Sequence, residues 1–336
     1  MMTLHKKIIV PLDGSELSDQ ALRPAMLMAE TTGATVNLVR CFASIPRWQV
    51  DRYQGRHSGS MSESEHVRIT AWLKAHKLRL AKDGSTVPIE VSAHEGPAVE
   101  HITRLANQEP DALIVMSTHG RGGLSRLIMG SVTSRVVRAV RNPMFIVRST
   151  ETDMLNTPEV IDRIIVPLDG TTFSEAALSH AGALAASFGA RVTLYQATHG
   201  AGFFQSNSEW VGSNGEAGFE FSSPSKMATE LAVQSMNYLS DCADSLKAEF
   251  GLTRVDVVNS QENAADAIVR LAGDSDNGLV VMTTHGRAGV GRALLGSVAD
   301  RVVRASPVPT LLVQEPAVHG DMSVGRSVDN LVGAVL

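Results

Sequence analysis

The chain predicts an α/β architecture: two doubly wound domains in tandem, each a five-stranded parallel sheet with helices on both faces. Three observations lead there. Residues 118–138, THGRGGLSRLIMGSVTSRVVR, return as residues 284–304, THGRAGVGRALLGSVADRVVR, with 13 of 21 positions identical. The run IIVPLDGS at 8–15 likewise returns as IIVPLDGT at 164–171, so one structural unit is written twice. Within each copy, short continuous apolar runs alternate with helical patterns, the signature of parallel strands covered on both faces.

In the first copy the strand candidates are 7–12, 35–41, 87–92, 112–116 and 143–148. Each is short, rich in Val, Ile and Leu, and bounded by polar or turn residues. Helices are expected at about 16–32, 62–82, 97–108 and 131–141. Ser15 or Ser18 is placed to cap the first, and Gly33 to end it. The second copy repeats the order, with strands near 162–168, 191–197, 254–259, 278–283 and 309–314. Thr172 and Glu175 form a capping-box pattern at its first helix. The opening motif recurs at an offset of 164 − 8 = 156 and the glycine loop at 286 − 120 = 166. The ten-residue difference is assigned to the Gly- and Ser-rich stretch 199–225, read as a long surface loop. Domain 1 is set at residues 1–150 and domain 2 at 162–315. The polar, proline-bearing segment 151–161 is the linker, and 316–336 a tail that either docks as a short helix or stays disordered.

Bulk composition narrows the function. A net charge of −5 argues against a general nucleic-acid binder, so Arg47, Arg52 and Arg56, with Trp48 and Tyr53, read as a solvent loop or a protein-partner contact. Cys41 and Cys242 are the two cysteines. They supply neither a disulfide framework nor metal-site spacing, and read as small apolar residues. The N-terminal apolar run stops at Asp13, and no run is long enough for a membrane span. Cytoplasmic localisation, with no membrane partner, is the expectation.

Chemistry concentrates at two segments. Doubly wound sheets bind ligands beyond the carboxyl ends of their strands, where strand order reverses. Pro11, Leu12 and Asp13 end the first strand, and Pro167, Leu168 and Asp169 end its repeat. The loop after the fourth strand runs Ser117-Thr118-His119-Gly120, nine residues, then Gly130-Ser131. Its repeat runs Thr283-Thr284-His285-Gly286, nine residues, then Gly296-Ser297. Glycine permits close backbone approach to an anion, and a loop entering a helix points unpaired N–H groups at one spot. Gly123, Val132, Gly289 and Val298 belong to the same segments. Asp13 and Asp169 are placed to accept from a ribose or base edge, or else serve as turn residues. Arg121 and Arg287, like Arg126 and Arg292, neutralise phosphate or remain solvated; both readings stay open. His119 and His285 invite a general-base reading beside that of ordinary loop histidines. Arg135, Arg138, Arg301 and Arg304 belong on an exposed helix face. There is no Gly-Lys pair in the chain, so the loop is not of the Walker type and binding is easier to argue than phosphoryl transfer.

On these motifs the chain resembles the universal stress protein family in its tandem form. The resemblance covers about residues 5–150 and 160–315. It implies strand order 3-2-1-4-5, with ATP, accompanied by Mg2+, across the crevice between strands one and four. Asp13 and Asp169 would then meet the adenosine part, Cys41 and Ala197 line the adenine pocket, and Met116 and Met282 pack nearby. Gly120, Gly130, Ser131 and their counterparts would hold phosphates. The family's first loop glycine is Ser117 here and Thr283 in the repeat. Gly96 has no counterpart, the second copy reading Gln261-Glu262-Asn263. The implied function is an ATP-binding stress-response regulator or sensor acting through a protein partner. The alternatives are a slow ATPase or self-phosphorylating enzyme, and a nucleotide-free scaffold. The two domains are expected to pair through Phe145–Val147 and Leu311–Val313 as a pseudo-dimer within the chain, with a homodimer of chains as a further possibility.

Overall fold

The computed structural model describes residues 5–43, 58–82, 84–118, 129–148, 160–198, 224–284 and 295–314. Of the expected loop 199–225, residues 224–225 already belong to a helix, and 199–223 lie outside the described residues. Outside them too are 151–159 of the expected linker 151–161, the whole tail 316–336, and Arg47, Trp48, Arg52, Tyr53 and Arg56.

The first half builds β1 (Lys7–Pro11), α1 (Glu16–Asp19), α2 (Leu22–Thr32), β2 (Thr35–Phe42), α3 (Ser58–Lys82), β3 (Ile89–Glu95), α4 (Ala98–Gln108), β4 (Leu113–Ser117), α5 (Ser131–Ala139) and β5 (Met144–Val147). The second builds β6 (Arg163–Pro167), α6 (Thr172–Phe188), β7 (Arg191–Ala197), α7 (Pro224–Phe250), β8 (Val255–Ser260), α8 (Ala264–Ala272), β9 (Gly278–Thr283), α9 (Ser297–Ala305) and β10 (Thr310–Val313). All ten strands join one sheet in the order β3-β2-β1-β4-β5-β10-β9-β6-β7-β8. Each half thus reads 3-2-1-4-5 from its own outer edge, and β1 and β6 are the strands beside which the order reverses. Pairing is parallel except at the centre, where β10 runs antiparallel to β5 with Leu311 opposite Phe145.

The first expected helix is broken in two. Pro24 has no N–H for the carbonyl of Gln20, and its ring crowds that carbonyl, so the helix cannot run through. The second half has His180 at the corresponding place, and α6 is continuous. Gly33 and Gly189 end α2 and α6 in the left-handed conformation, at φ 72° and 66°. The N-cap of α6 is Thr171, one residue before the expected Thr172. Its hydroxyl accepts from the Ser174 amide, while Glu175 accepts from the Tyr238 hydroxyl at 3.0 Å.

Two apolar layers, one on each face of the sheet, run through both halves. One gathers Ile8, Val10, Leu12, Leu38, Val115, Phe145, Ile164, Leu168, Leu194, Val281 and Leu311 under α2, α3, α6 and α7. The other gathers Ile9, Val39, Ile114, Met116, Met144, Ile165, Tyr195, Val280, Met282 and Leu312 under α4, α5, α8 and α9. Because each layer crosses the β5–β10 seam, the halves share their cores. Polar contacts also cross the seam. Gln314 donates from Nε2 to the Val137 carbonyl at 2.8 Å. The rings of His5 and His180 stack at 5.9 Å, with His5 Nδ1 2.8 Å from the Asp111 carbonyl. Burial holds both imidazoles below their ordinary pKa, His180 down to about 4.

Candidate functional site

The turn after the first strand is built identically in both halves. Asp13 Oδ1 accepts from the Ser15 amide at 2.9 Å and from its hydroxyl at 2.6 Å. Asp169 Oδ1 accepts from the Thr171 amide at 3.0 Å and its hydroxyl at 2.6 Å. Buried Ser18 and Ser174 brace the turn from below, each donating its hydroxyl hydrogen to a carbonyl of the turn, that of Ser15 or Thr171, at 2.8 Å. The aspartates therefore serve as turn residues, with their carboxylates held in one orientation at the sheet edge. Gly14 sits at φ +86°, and a Cβ there would lie 2.5 Å from the Arg40 guanidinium. That guanidinium lies 4.3 Å above the Trp72 ring. Leu12 and Leu168 are buried in the layer opposite Met116 and Met282. At the site they offer backbone alone.

Beyond the fourth strand the chain is clasped. The Thr118 amide donates to the Val147 carbonyl at 2.8 Å, and the Thr118 carbonyl accepts from the Gly130 amide at 2.6 Å. Thr284 and Gly296 repeat the clasp at 2.8 Å. The two ends of each loop are thus pinned together at the carboxyl edge, and α5 and α9 start there. Gly130 and Gly296 cap these helices with no side-chain hydrogen bond from the described residues. The clasp corrects one expectation. The Gly130 and Gly296 amides are occupied, so the donors left for an anion are those of the next residues, Ser131 to Thr133 and Ser297 to Ala299. Ser131 and Ser297 are exposed, Val132 is exposed, and Val298 is half-buried. Ser117 and Thr283 close β4 and β9; the buried Thr133 hydroxyl donates to the Ser117 carbonyl at 2.9 Å. The second half has Ala299 there and lacks this anchor.

The far side of the crevice differs between the halves. In the first, β3 continues to Glu95, three residues past the expected end, and sets His94 beside half-buried Cys41 in the register. The His94 ring stacks on His101 at 5.0 Å, and its buried Nε2 has no hydrogen-bond partner among the described residues. Burial, then the nearby charges of His101, Arg104 and His66, hold His94 below its ordinary pKa. Burial lifts the Cys41 thiol to about 11, with Arg104 opposing, so it is no thiolate near neutrality. Gly96, at φ +120°, leaves room for His101 Nε2 to reach the Glu95 carbonyl at 2.7 Å. In the second half Ser260 lies beside Ala197, and Tyr195 stands where the first half has Val39. The Tyr195 hydroxyl and Ser260 Oγ are 3.0 Å apart.

Pro11, Asp13, Cys41, Met116, Ser117, Gly130 and Ser131 thus converge on one edge of the sheet, and Pro167, Asp169, Ala197, Met282, Thr283, Gly296 and Ser297 on the matching edge. His119, Gly120, Arg121, Gly123 and Arg126 lie outside the described residues, as do His285, Gly286, Arg287, Gly289 and Arg292. Arg135, Arg138 and Arg301 are exposed and Arg304 half-buried. Arg301 pairs with Asp266, and Arg304 with Asp300 at 2.7 Å. Sequence reasoning missed His94, His101, Arg104 and Tyr195. The three polar residues follow a strand that was ended too early, and Tyr195 reads as ordinary strand filler. Among the described residues no three His, Cys, Asp or Glu side chains cluster to hold a metal, and no helix is long and apolar enough to cross a membrane.

Comparison with known proteins places these features in a family. The universal stress protein family model matches residues 5–148 and again 161–314. Universal stress protein Rv2623 of Mycobacterium tuberculosis is 23% identical over 319 residues, 92% of this chain and 96% of its own. Universal stress protein MJ0531 of Methanocaldococcus jannaschii is 29% identical over 151 residues, 43% of this chain and 83% of its own. Among solved structures, a universal stress protein from Archaeoglobus fulgidus superposes with a TM-score of 0.62 at 18% identity, covering 93% of this chain and 97% of that one.

Proposed function

The chain belongs to the universal stress protein family, in tandem two-domain form, and on that premise we propose that it is an ATP-binding regulator whose surface responds to the nucleotide. The observation that carries this reading is the clasped loop. At the point where strand order reverses, the Thr118–Gly130 hydrogen bond brings to the sheet edge a helix start that no side chain of the described residues caps, with an exposed serine hydroxyl. Main-chain amides so placed favour a polyanion. Ser131, Val132 and Thr133 supply the amides for phosphate, together with the loop glycines Gly120 and Gly123. The nucleoside crosses Pro11 and the main chain of Leu12 toward Cys41, with Met116 beneath it. The carboxylate of Asp13, steadied by Ser15, faces the ribose. Mg2+ rides on the phosphates. Binding rather than turnover is favoured because the chain has no Gly-Lys pair to stabilise charge on a transferring phosphoryl group. Nucleotide held at the sheet edge couples occupancy to the surface a protein partner meets, cytoplasmic stress signalling being the setting that fits.

The test is direct. Protein purified without added nucleotide is denatured and the released small molecules are identified, and a nucleotide-free sample is titrated with ATP–Mg2+. Released adenine nucleotide or saturable binding is expected, lost when Gly130→Val and Gly296→Val are combined. Neither signal from a folded protein would refute the proposal.

A further inference from the structure

We infer that the two crevices are not equivalent: the base end of the second is filled by the protein's own Tyr195, so the chain takes one adenine nucleotide, in its first half. This rests on the ATP reading above and assigns the site that acts. If phosphate is held at the α5 or α9 start, beside β4 or β9, a nucleoside must extend across β1 or β6 toward the second strand of each half. There the halves diverge. Val39 and Tyr195 hold the same register position, opposite Pro11 and Pro167 respectively. Val39 is a short side chain, and the row beyond it is Cys41 and His94. Tyr195 is fully buried, 1% exposed, and its hydroxyl reaches Ser260 Oγ, which is paired with Ala197 in the next row. The side chain therefore reaches along the sheet toward the row of Ala197, where the first half has Cys41. Alanine at 197 is the small residue that makes room for it.

The polar groups around the two ends point the same way. In the second half they satisfy one another. Ser260 is bonded to Tyr195, the Asn263 side chain accepts from the Ala265 and Asp266 amides at the start of α8, and Glu262 pairs with Arg270 at 3.0 Å. In the first half His94 Nε2 is buried without a hydrogen-bond partner among the described residues. A purine edge carries donors and acceptors that suit an imidazole nitrogen so placed. A buried polar atom lacking a bond gains one when the base enters.

Three measurements test this on the full-length protein. Calorimetric titration with ATP–Mg2+ is expected to give one site per chain, rising to two in Tyr195→Val. The reverse substitution, Val39→Tyr, is expected to abolish binding while circular dichroism and the melting midpoint show a folded chain. Independently of any variant, photolabelling with 8-azido-ATP followed by peptide mapping should mark the first half alone. Two sites in the unsubstituted protein, label in both halves, or a folded Tyr195→Val still holding one nucleotide would each overturn the inference while leaving ATP binding intact. No binding by any folded form would instead remove the reading on which it stands.

Discussion

Lowering the pH from 7.5 to 5 is expected to weaken the fold through one stacked pair at the seam between the halves. His5 and His180 face each other at 5.9 Å. Burial is the first cause of the depressed pKa of His180, and the charge of His5 is the second. In the unfolded chain His180 takes a proton near 6.5, in the folded chain only near 4. As pH falls through that window the unfolded state binds a proton that the folded state refuses, so stability drops. It is intact above about pH 6.5 and levels off below about pH 4. Linkage puts the loss between pH 7.5 and 5 at about 2 kcal/mol for this residue, and about 3 kcal/mol across the whole window. Carboxylates and other histidines titrate in the same range, so the readout is a difference. His180→Phe keeps an aromatic ring against His5 and cannot titrate. Urea unfolding at both pH values should show the unsubstituted protein losing about 0.7 M more of its midpoint than His180→Phe, for a slope of about 3 kcal/mol/M. Equal midpoint losses in the two proteins would refute the reasoning.

Three further outcomes follow from single contacts. Thr133→Val removes the buried hydrogen bond to the Ser117 carbonyl and should cost about 1–3 kcal/mol in chemical unfolding, whereas Ala299→Thr, adding the missing anchor to the second half, should not destabilise; an unchanged midpoint in Thr133→Val would contradict the anchoring role. Gly14→Ala meets both an unfavourable φ of +86° and the Arg40 guanidinium, and should lower the unfolding midpoint by an amount equivalent to about 1 kcal/mol or more. Arg40→Ala added to it should restore only the steric part, and a neutral Gly14→Ala would show that the turn relaxes freely. Cys41 and Cys242, both lifted to about 11 by burial, should react slowly with Ellman's reagent at pH 8 and quickly after denaturation; a fast native reaction at either would refute the burial argument.

Much of the scaffold was legible because its causes are local. A strand covered on both faces must be apolar along its length, so β1, β4, β6 and β9 stand out as runs of Val, Ile and Leu, and the repeated clasp residues from Thr118 to Gly130 mark the crevice in each copy. The errors were also local in origin. Propensity ends β3 at Ser92, since Ala93, His94 and Glu95 favour strand weakly, yet pairing with Arg40, Cys41 and Phe42 extends it by three residues. Pro24 is visible in the sequence, and the N–H it lacks divides the first helix into α1 and α2. The direction of Leu12 follows from where the pleat stands at the end of β1, and the use of the Gly130 amide from a carbonyl on the other side of a loop.

By itself, the amino-acid sequence determined that the chain is two copies of one strand–helix unit, that each copy carries a small-residue loop at its reversal point, and that the family is the universal stress proteins. The pairing of the copies through their last strands follows from the family resemblance, and β5 and β10 do pair there, antiparallel. Tertiary structure alone decided that His5 meets His180 between the halves, and that Tyr195 and Ser260 stand in one half where the other has Val39 and His94. The physical reason is distance along the chain. Hydrophobic period, capping and turn chemistry act between near neighbours and leave a pattern in them. Two of the contacts that matter here, Tyr195 with Ser260 and His5 with His180, join residues 65 or more positions apart, and a packed interior sets them by volume and partner rather than by any local rule.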